Sequence, residues 1–270
     1  MIFDVGMHNG KDTEFYLRKG FRVVAIEPNP SLVAAARERL ADFIANERLT
    51  ILEVAIAERS GTVNFYANQQ KDGWSTICLD NVATNERNQT HHEIIHVECV
   101  NFSEIMEQFD TPYYLKVDIE GADMLCLKAL QNRAEKPKYI SVEMRMSGID
   151  SLFDELAHLW VLGYRAFKLV DQSQLPLVRC PYPSREGDYF DVQFDCEMSG
   201  PFGEEAPGTW FNIETTLRES TRILRSQAQM EVYTGLHGAL HRWLHRRYLQ
   251  IRYGEGTHDR WYDVHAKLPD

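Results

Sequence analysis

A chain of 270 residues with 44% hydrophobic and 26% charged side chains can bury one full-sized core, so one generous domain or one domain with an appendage is expected. Its net charge of −11 argues against a nucleic-acid backbone as the main partner, because phosphate binding wants a basic face. There is no apolar run long enough to span a bilayer and no signal peptide. The five cysteines are odd in number and lack Cys-x-x-Cys spacing, so reduced thiols in a cytoplasmic protein are expected.

The chain opens directly on an apolar strand, Ile2 to Val5, without a helix ahead of it. The strand runs into Asp4-x-Gly6, with a second glycine at Gly10 and then a helical pattern from Lys11 to Lys19 ended by Gly20. Glycines at such a bend let the backbone turn tightly and let a ligand reach main-chain N–H groups. A second strand, Arg22 to Ile26, ends on Glu27, where a carboxylate can grip the two hydroxyls of a ribose. A dinucleotide site wants Gly-x-Gly-x-x-Gly, with room for a pyrophosphate. Here an acid precedes two glycines, and a carboxylate facing the ligand repels phosphate but attracts the ammonium of an amino acid. S-adenosylmethionine (SAM) has a ribose and an ammonium but no phosphate, and it is the cofactor expected.

Beyond Glu27-Pro-Asn-Pro30, Ser31 is placed to cap an amphipathic helix, Leu32 to Ile44. Leu49 to Ile56 reads as a buried strand, with an adenine lying across its tip near Ala55. Arg59-Ser-Gly61 turns the chain into a short strand, Thr62 to Tyr66. Residues 67–95 are polar and read as a loop excursion, with Trp74-Ser75-Thr76 either facing the pocket or anchoring a solvated loop. His91, His92 and His96 have no cysteine or acid at ligand spacing, so they read as a surface cluster rather than a metal site.

After a strand at His96 to Val100 and a helix at Ser103 to Phe109 comes the second informative stretch, Tyr113-Tyr-Leu-Lys-Val-Asp118-Ile-Glu120-Gly121-Ala-Asp123. An apolar strand ends on an acid, and Gly121 opens a helix, Ala122 to Leu130. Strand alternation puts Asp118 and Glu120 on one face while the strand lasts, at the carboxyl end where α/β enzymes place their chemistry. Helix capping accounts for Asp123 but not for Asp118. A strand from Tyr139 to Glu143, a helix from Leu152 to Leu162, and strands at Tyr164 to Val170 and within Asp188 to Asp195 complete the region. That order implies a Rossmann-like, mostly parallel α/β sheet with helices on both faces and an antiparallel strand near its end.

Asp4-Val-Gly-Met-His-Asn-Gly10, Glu27-Pro-Asn-Pro30, Val54-Ala-Ile-Ala-Glu-Arg-Ser-Gly61, Lys116-Val-Asp-Ile-Glu-Gly-Ala-Asp123 and Ile140-Ser-Val-Glu143 stand in one characteristic order. Over roughly residues 1–170 the chain resembles the FkbM-type methyltransferases. The resemblance implies a SAM-dependent class I methyltransferase fold that acts on a hydroxyl of a sugar, glycan or natural product. It implies that Asp4, Gly6, Asn9, Gly10 and Glu27 hold the cofactor, that Ala55 lines the adenine, and that Asp118 sits beside the methyl donor. The helix that usually precedes the first strand of such a fold is missing.

Residues 1–200 are read as the SAM-binding domain and 201–270 as a C-terminal helical extension packed on it. Residues 213–253 read as two helices broken near Gly235 and Gly238, with His237, His241 and His245 on one face. Arg242, Arg246, Arg247 and Arg252 make the segment basic. It reads as a solvated face or a contact in a homo-oligomer, or more sharply as a lid or docking surface for an anionic acceptor. The aromatic tail Trp261-Tyr-Asp-Val-His265 is expected to pack back on the domain.

Methyl transfer to a hydroxyl needs in-line positioning and removal of a proton. Asp118 or Glu143 is the expected base or acceptor-orienting acid, with Glu120 in support, and the same acids could instead hold a divalent metal. His8, His258 and His265 are weaker base candidates. The rival readings are a nicotinamide oxidoreductase of Rossmann type, a methyltransferase acting on protein or nucleic acid, and a non-catalytic SAM-fold partner protein.

Overall fold

The computed structural model describes residues 1–144, 148–232 and 261–269. Strand β1 (Ile2–Val5) is fully buried and leads through a Gly6 turn into helix α1 (Lys11–Arg18). Strand β2 (Val23–Ile26) follows, then α2 (Pro30–Arg39) and α3 (Ala41–Ala45). The single helix expected from Leu32 to Ile44 is therefore two, with a break at Leu40. Its cap is Asn29, whose side chain accepts the Ser31 N–H, because Pro30 lacks an N–H and suits the first helical position.

The strand expected over Leu49 to Ile56 also divides. β3 (Leu49–Leu52) stays in the main sheet, and β4 (Ala55–Ile56) joins a second one. β5 (Gly61–Asn68) pairs antiparallel with β6 (His92–Val100), which pairs parallel with β4. The intervening segment is more ordered than the polar loop expected. It bridges back at Tyr66 to Thr76, makes a 3-10 turn at Asp72–Trp74 and forms α4 (Leu79–Arg87). His91 and His96 are exposed there, and the ring of the half-buried His92 meets Tyr66 edge-on.

Next come α5 (Phe102–Gln108), β7 (Tyr114–Val117), α6 (Asp123–Ala129), β8 (Tyr139–Glu143), α7 (Ile149–Val161) and β9 (Ala166–Asp171). Residues 188–195 form no strand, which corrects the expectation placed there. After α8 (Ile213–Val232), the seventh strand of the main sheet is β10 (Tyr262–Lys267), from the aromatic tail. The expected extension 201–270 thus also supplies a strand to the sheet. The second half of the segment 213–253, with His237, His241, His245 and its arginines, lies outside the described residues, as does His258.

The main sheet runs β3-β2-β1-β7-β8-β10-β9, with β10 antiparallel to both neighbours and every other pairing parallel. Two apolar layers sandwich it. Phe3, Val5, Leu115, Val117 and Val142 pack on one side against Phe102 and Met106 of α5, Leu127 of α6 and Leu152 and Leu156 of α7. Ile2, Val23 and Tyr114 pack on the other side against Phe15 and Tyr16 of α1, Val33 of α2, and Phe194 and Phe202. Alternating side chains send successive apolar residues to opposite layers, which is why these strands read as continuous apolar runs. None of the five cysteines is in a disulfide. Among the described residues no helix is long and apolar enough to cross a membrane.

Candidate active site at the carboxyl end of the sheet

The parallel strands β2, β1, β7 and β8 end together, and a cavity of about 780 Å³ opens above their carboxyl ends. The crossing point between β1 and β7, where the strand order reverses direction, is where open α/β sheets bind ligands.

Gly6 sets the floor. It has φ +86°, and its N–H and that of Met7 both donate to the Ile26 carbonyl. The Asp118 N–H in turn donates to the Val5 carbonyl at 2.9 Å, so the ends of β1 and β7 are tied side by side. Glu27 stands at the end of β2. It is 6% exposed, and its two carboxylate oxygens accept N–H bonds from His8 at 2.8 Å and Asn29 at 2.9 Å. Burial pushes its carboxyl up to about 7, against the opposing pull of these bonds and of His8 and Lys116. Each oxygen retains a lone pair for a further donor. Beyond Glu27 the wall turns apolar, with Leu32, Val54, Ala55, Ile56 and Phe65.

A strap from the 69–78 segment covers that side. His8 Nε2 lies 3.1 Å from Asp72 Oδ1, and Thr76 donates to the Glu120 carbonyl at 2.7 Å. Trp74, Ser75 and Thr76 all line the cavity, with the Lys71 ammonium 3.5 Å from the centre of the Trp74 ring.

The far end is acidic. Asp118, Glu120 and Glu143 each offer a carboxylate oxygen, and these oxygens lie within 4.8 Å of one another. Burial, then repulsion from Asp118 and Asp123, pushes Glu120 up to about 8. Burial, then Asp118 and Glu120, pushes Glu143 well above the usual carboxylate range. Asp263 on β10 pairs in register with Glu143 and is shifted the same way, burial leading.

Lys116 lies beneath. It donates to the Gly6 carbonyl at 2.7 Å and stands 3.2 Å from Asp4 and 4.0 Å from Asp118. Burial pulls its ammonium down, but Asp4, Asp118 and Asp12 outweigh that, and it stays charged.

The expected site residues therefore separate into two groups. Gly6, Glu27, Ala55, Asp118, Glu120 and Glu143 line one cavity. Asp4 does not: it is fully buried under the floor, held by the Thr13 hydroxyl at 2.6 Å and by Lys116. Asn9 and Gly10 also lie off the cavity. The Asn9 amide donates to Glu197, and Gly10 is the left-handed N-cap of α1. His8 lines the cavity, while His265 is buried in β10 and pushed down to about 3, by burial and then Lys168.

Sequence reasoning missed Asp12, Gln172, Ser199, Trp261 and Asp263, which also line the cavity. Asp12 accepts the Ser199 N–H at 2.8 Å while its other oxygen has no partner, and burial pushes it up to about 7. The alternation of apolar and polar residues in Tyr262-Asp-Val-His-Ala-Lys267 signals a strand, but not where that strand inserts or that Asp263 reaches the cavity.

A model of the methyltransferase FkbM domain matches residues 4–166. No curated protein matches the chain. Among solved structures, methyltransferase FkbM from Methylobacillus flagellatus KT is similar at 17% identity and TM-score 0.42, over 62% of this chain and 39% of that one. Precorrin-6y C5,15-methyltransferase from Geobacter metallireducens GS-15 is similar at 12% identity and TM-score 0.40, over 99% of this chain and 78% of that one. A phosphoethanolamine N-methyltransferase from Haemonchus contortus, bound to S-adenosyl-L-methionine, is similar at 11% identity and TM-score 0.35, over 100% of this chain and 48% of that one.

Proposed function

The chain belongs to the FkbM methyltransferase family, and from that premise we propose that it is a SAM-dependent O-methyltransferase whose acceptor is a hydroxyl of a sugar, glycan or natural product. The observation that carries the reading is one cavity with two differently equipped ends. Glu27 and an apolar wall stand at one end, and Asp118, Glu120 and Glu143 at the other.

The residues fit the donor. Glu27 keeps a free lone pair on each oxygen for a ribose diol, and Ala55 with its apolar neighbours suits an adenine. The Gly6 turn lets a ligand lie against the backbone. In place of the buried Asp4, the unpartnered oxygen of Asp12 supplies a carboxylate for an ammonium. When bound, the sulfonium supplies an electrophilic methyl group.

This chain's residues then have two tasks. Asp118 and Glu143 orient the acceptor hydroxyl, and one of them takes its proton as the oxygen attacks. Burial raises the Glu143 carboxyl, which makes it a stronger base than an ordinary carboxylate only in its ionised form. Glu120 is the supporting carboxylate beside them. A second reading makes these acids the ligands of a divalent ion that lowers the hydroxyl's pKa. Full activity in excess chelator excludes it.

The surplus of carboxylates in the cavity favours a neutral or cationic acceptor over the anionic one suggested by the arginines of 242–252. The test is thermal: SAM should raise the melting temperature, while NADH at the same concentration should not. Stabilisation by NADH alone would return the chain to the oxidoreductase reading.

A further inference from the structure

His8 has φ +53°, a backbone conformation uncommon for an L side chain. Such a conformation persists where its surroundings hold it, and it is often held for use. Two contacts hold His8. Its N–H donates to Glu27 Oε2 at 2.8 Å, at the end of β2. Its ring nitrogen Nε2 stands 3.1 Å from Asp72 Oδ1, in the 3-10 turn of the strap. A Cβ on Gly73 would lie 3.9 Å from the same nitrogen, so the turn packs on the ring. One residue thus joins the carboxylate placed for a ribose to the segment that covers the cavity.

The strap is tied at its roots and light at its tip. The Asn68 side chain accepts the Gln70 and Lys71 N–H groups and donates to the Thr90 hydroxyl. The Ser75 hydroxyl accepts the Asn68 N–H and donates to the Asp72 carbonyl, and the Asn85 amide donates to the Trp74 carbonyl. Between these roots, residues 69–73 are exposed, and four of them (70–73) line the cavity. Among the described residues, the His8–Asp72 pair is the polar contact between this tip and the turn after β1.

We propose that His8 is a positioning residue and that 69–75 is a lid, latched across the cavity mouth by the His8–Asp72 pair. The lid opens to admit the donor and closes over it. A ribose on Glu27 steadies the carboxylate that holds the His8 N–H, and the ring is then fixed where Asp72 meets it. Closure of this kind keeps water from the donor and slows its escape. What the lid covers rests on the methyltransferase reading; the latch itself belongs to the ligand-free chain.

Two variants break the latch from opposite sides. His8→Gly removes the ring but suits the left-handed backbone and keeps the N–H that Glu27 uses. Asp72→Asn removes the charge at nearly constant size. Amide hydrogen exchange of 69–75, followed by mass spectrometry on the full-length chain without ligand, should quicken by about two- to fivefold in each variant. The double variant should go no further, because both changes break one contact. An exposed control, Glu135→Gln, should leave this exchange unchanged. A merely structural His8 would instead loosen the chain as a whole, with no excess in 69–75. Bound S-adenosylhomocysteine should slow the exchange in the wild type, and each variant should release that ligand about two- to fivefold faster. Exchange indifferent to both variants, effects that add in the double variant, or exchange unaltered by bound ligand overturns the proposal. Failure of S-adenosylhomocysteine to bind would overturn the methyltransferase reading, while exchange in the ligand-free chain still decides the latch.

Discussion

The Gly6 backbone lies so close to that of Asp118 that a Cβ on Gly6 would fall 1.7 Å from the Asp118 carbonyl oxygen. One glycine thus sets the spacing between the ends of β1 and β7 and between the two ends of the cavity. Gly6 also has φ +86°, which an L side chain rarely adopts. Gly6→Ala should destabilise well beyond the ~1 kcal/mol of an ordinary substitution, as a drop in urea midpoint at unchanged slope.

Asp118→Asn removes a proton acceptor that is half in solvent and makes no backbone cap. Turnover with methyl-labelled SAM should fall by ~10²–10⁴-fold on any acceptor that supports it, while S-adenosylhomocysteine still binds. Unchanged turnover would move the base to Glu143.

Three acids at the site are pushed up chiefly by burial: Glu27 and Asp12 to about 7, Glu120 to about 8. For such groups the folded state binds more protons than the unfolded state between the ordinary and the raised pKa. The ligand-free chain should therefore lose stability as pH rises from roughly 5 to 8. His265, pushed down to about 3, acts oppositely, removing stability as pH falls below its ordinary 6.5. A melting-temperature series across this range checks the sign, and a rise toward pH 8 contradicts it.

Behind α1, Lys19 and Glu205 form an ion pair at 2.9 Å with both side chains fully buried. Glu205 also accepts N–H bonds from Arg185 and Glu186. Lys19→Met would strand a buried carboxylate and should cost ~3–5 kcal/mol in denaturant unfolding. A smaller loss than that of a surface substitution would show the pair to be dispensable.

The first strands, the Glu27 tip and the Asp118 junction were legible because each is a local pattern: an apolar run, a turn residue and an acid within ten positions. Asp4 lies under the floor for a physical reason. Strand alternation fixes the face of a side chain but not whether it stops under the floor or reaches the cavity, and Thr13 and Lys116 draw Asp4 inward. The Leu49–Ile56 run concealed a change of sheet, because both halves are apolar and only pairing partners separate them. Asp263 and Gln172 were not legible as site residues. Their places depend on β10 inserting between β8 and β9, a pairing over long sequence separation.

The central claim is that Glu27 holds the ribose of a sulfonium donor. Calorimetric titration of S-adenosylhomocysteine into the wild-type chain and Glu27→Ala tests it most directly. The account predicts micromolar binding by the wild type and a loss of about tenfold or more in the variant, whose fold is checked by its melting curve. Equal affinity in the two proteins, or no binding by the folded wild type, would contradict it.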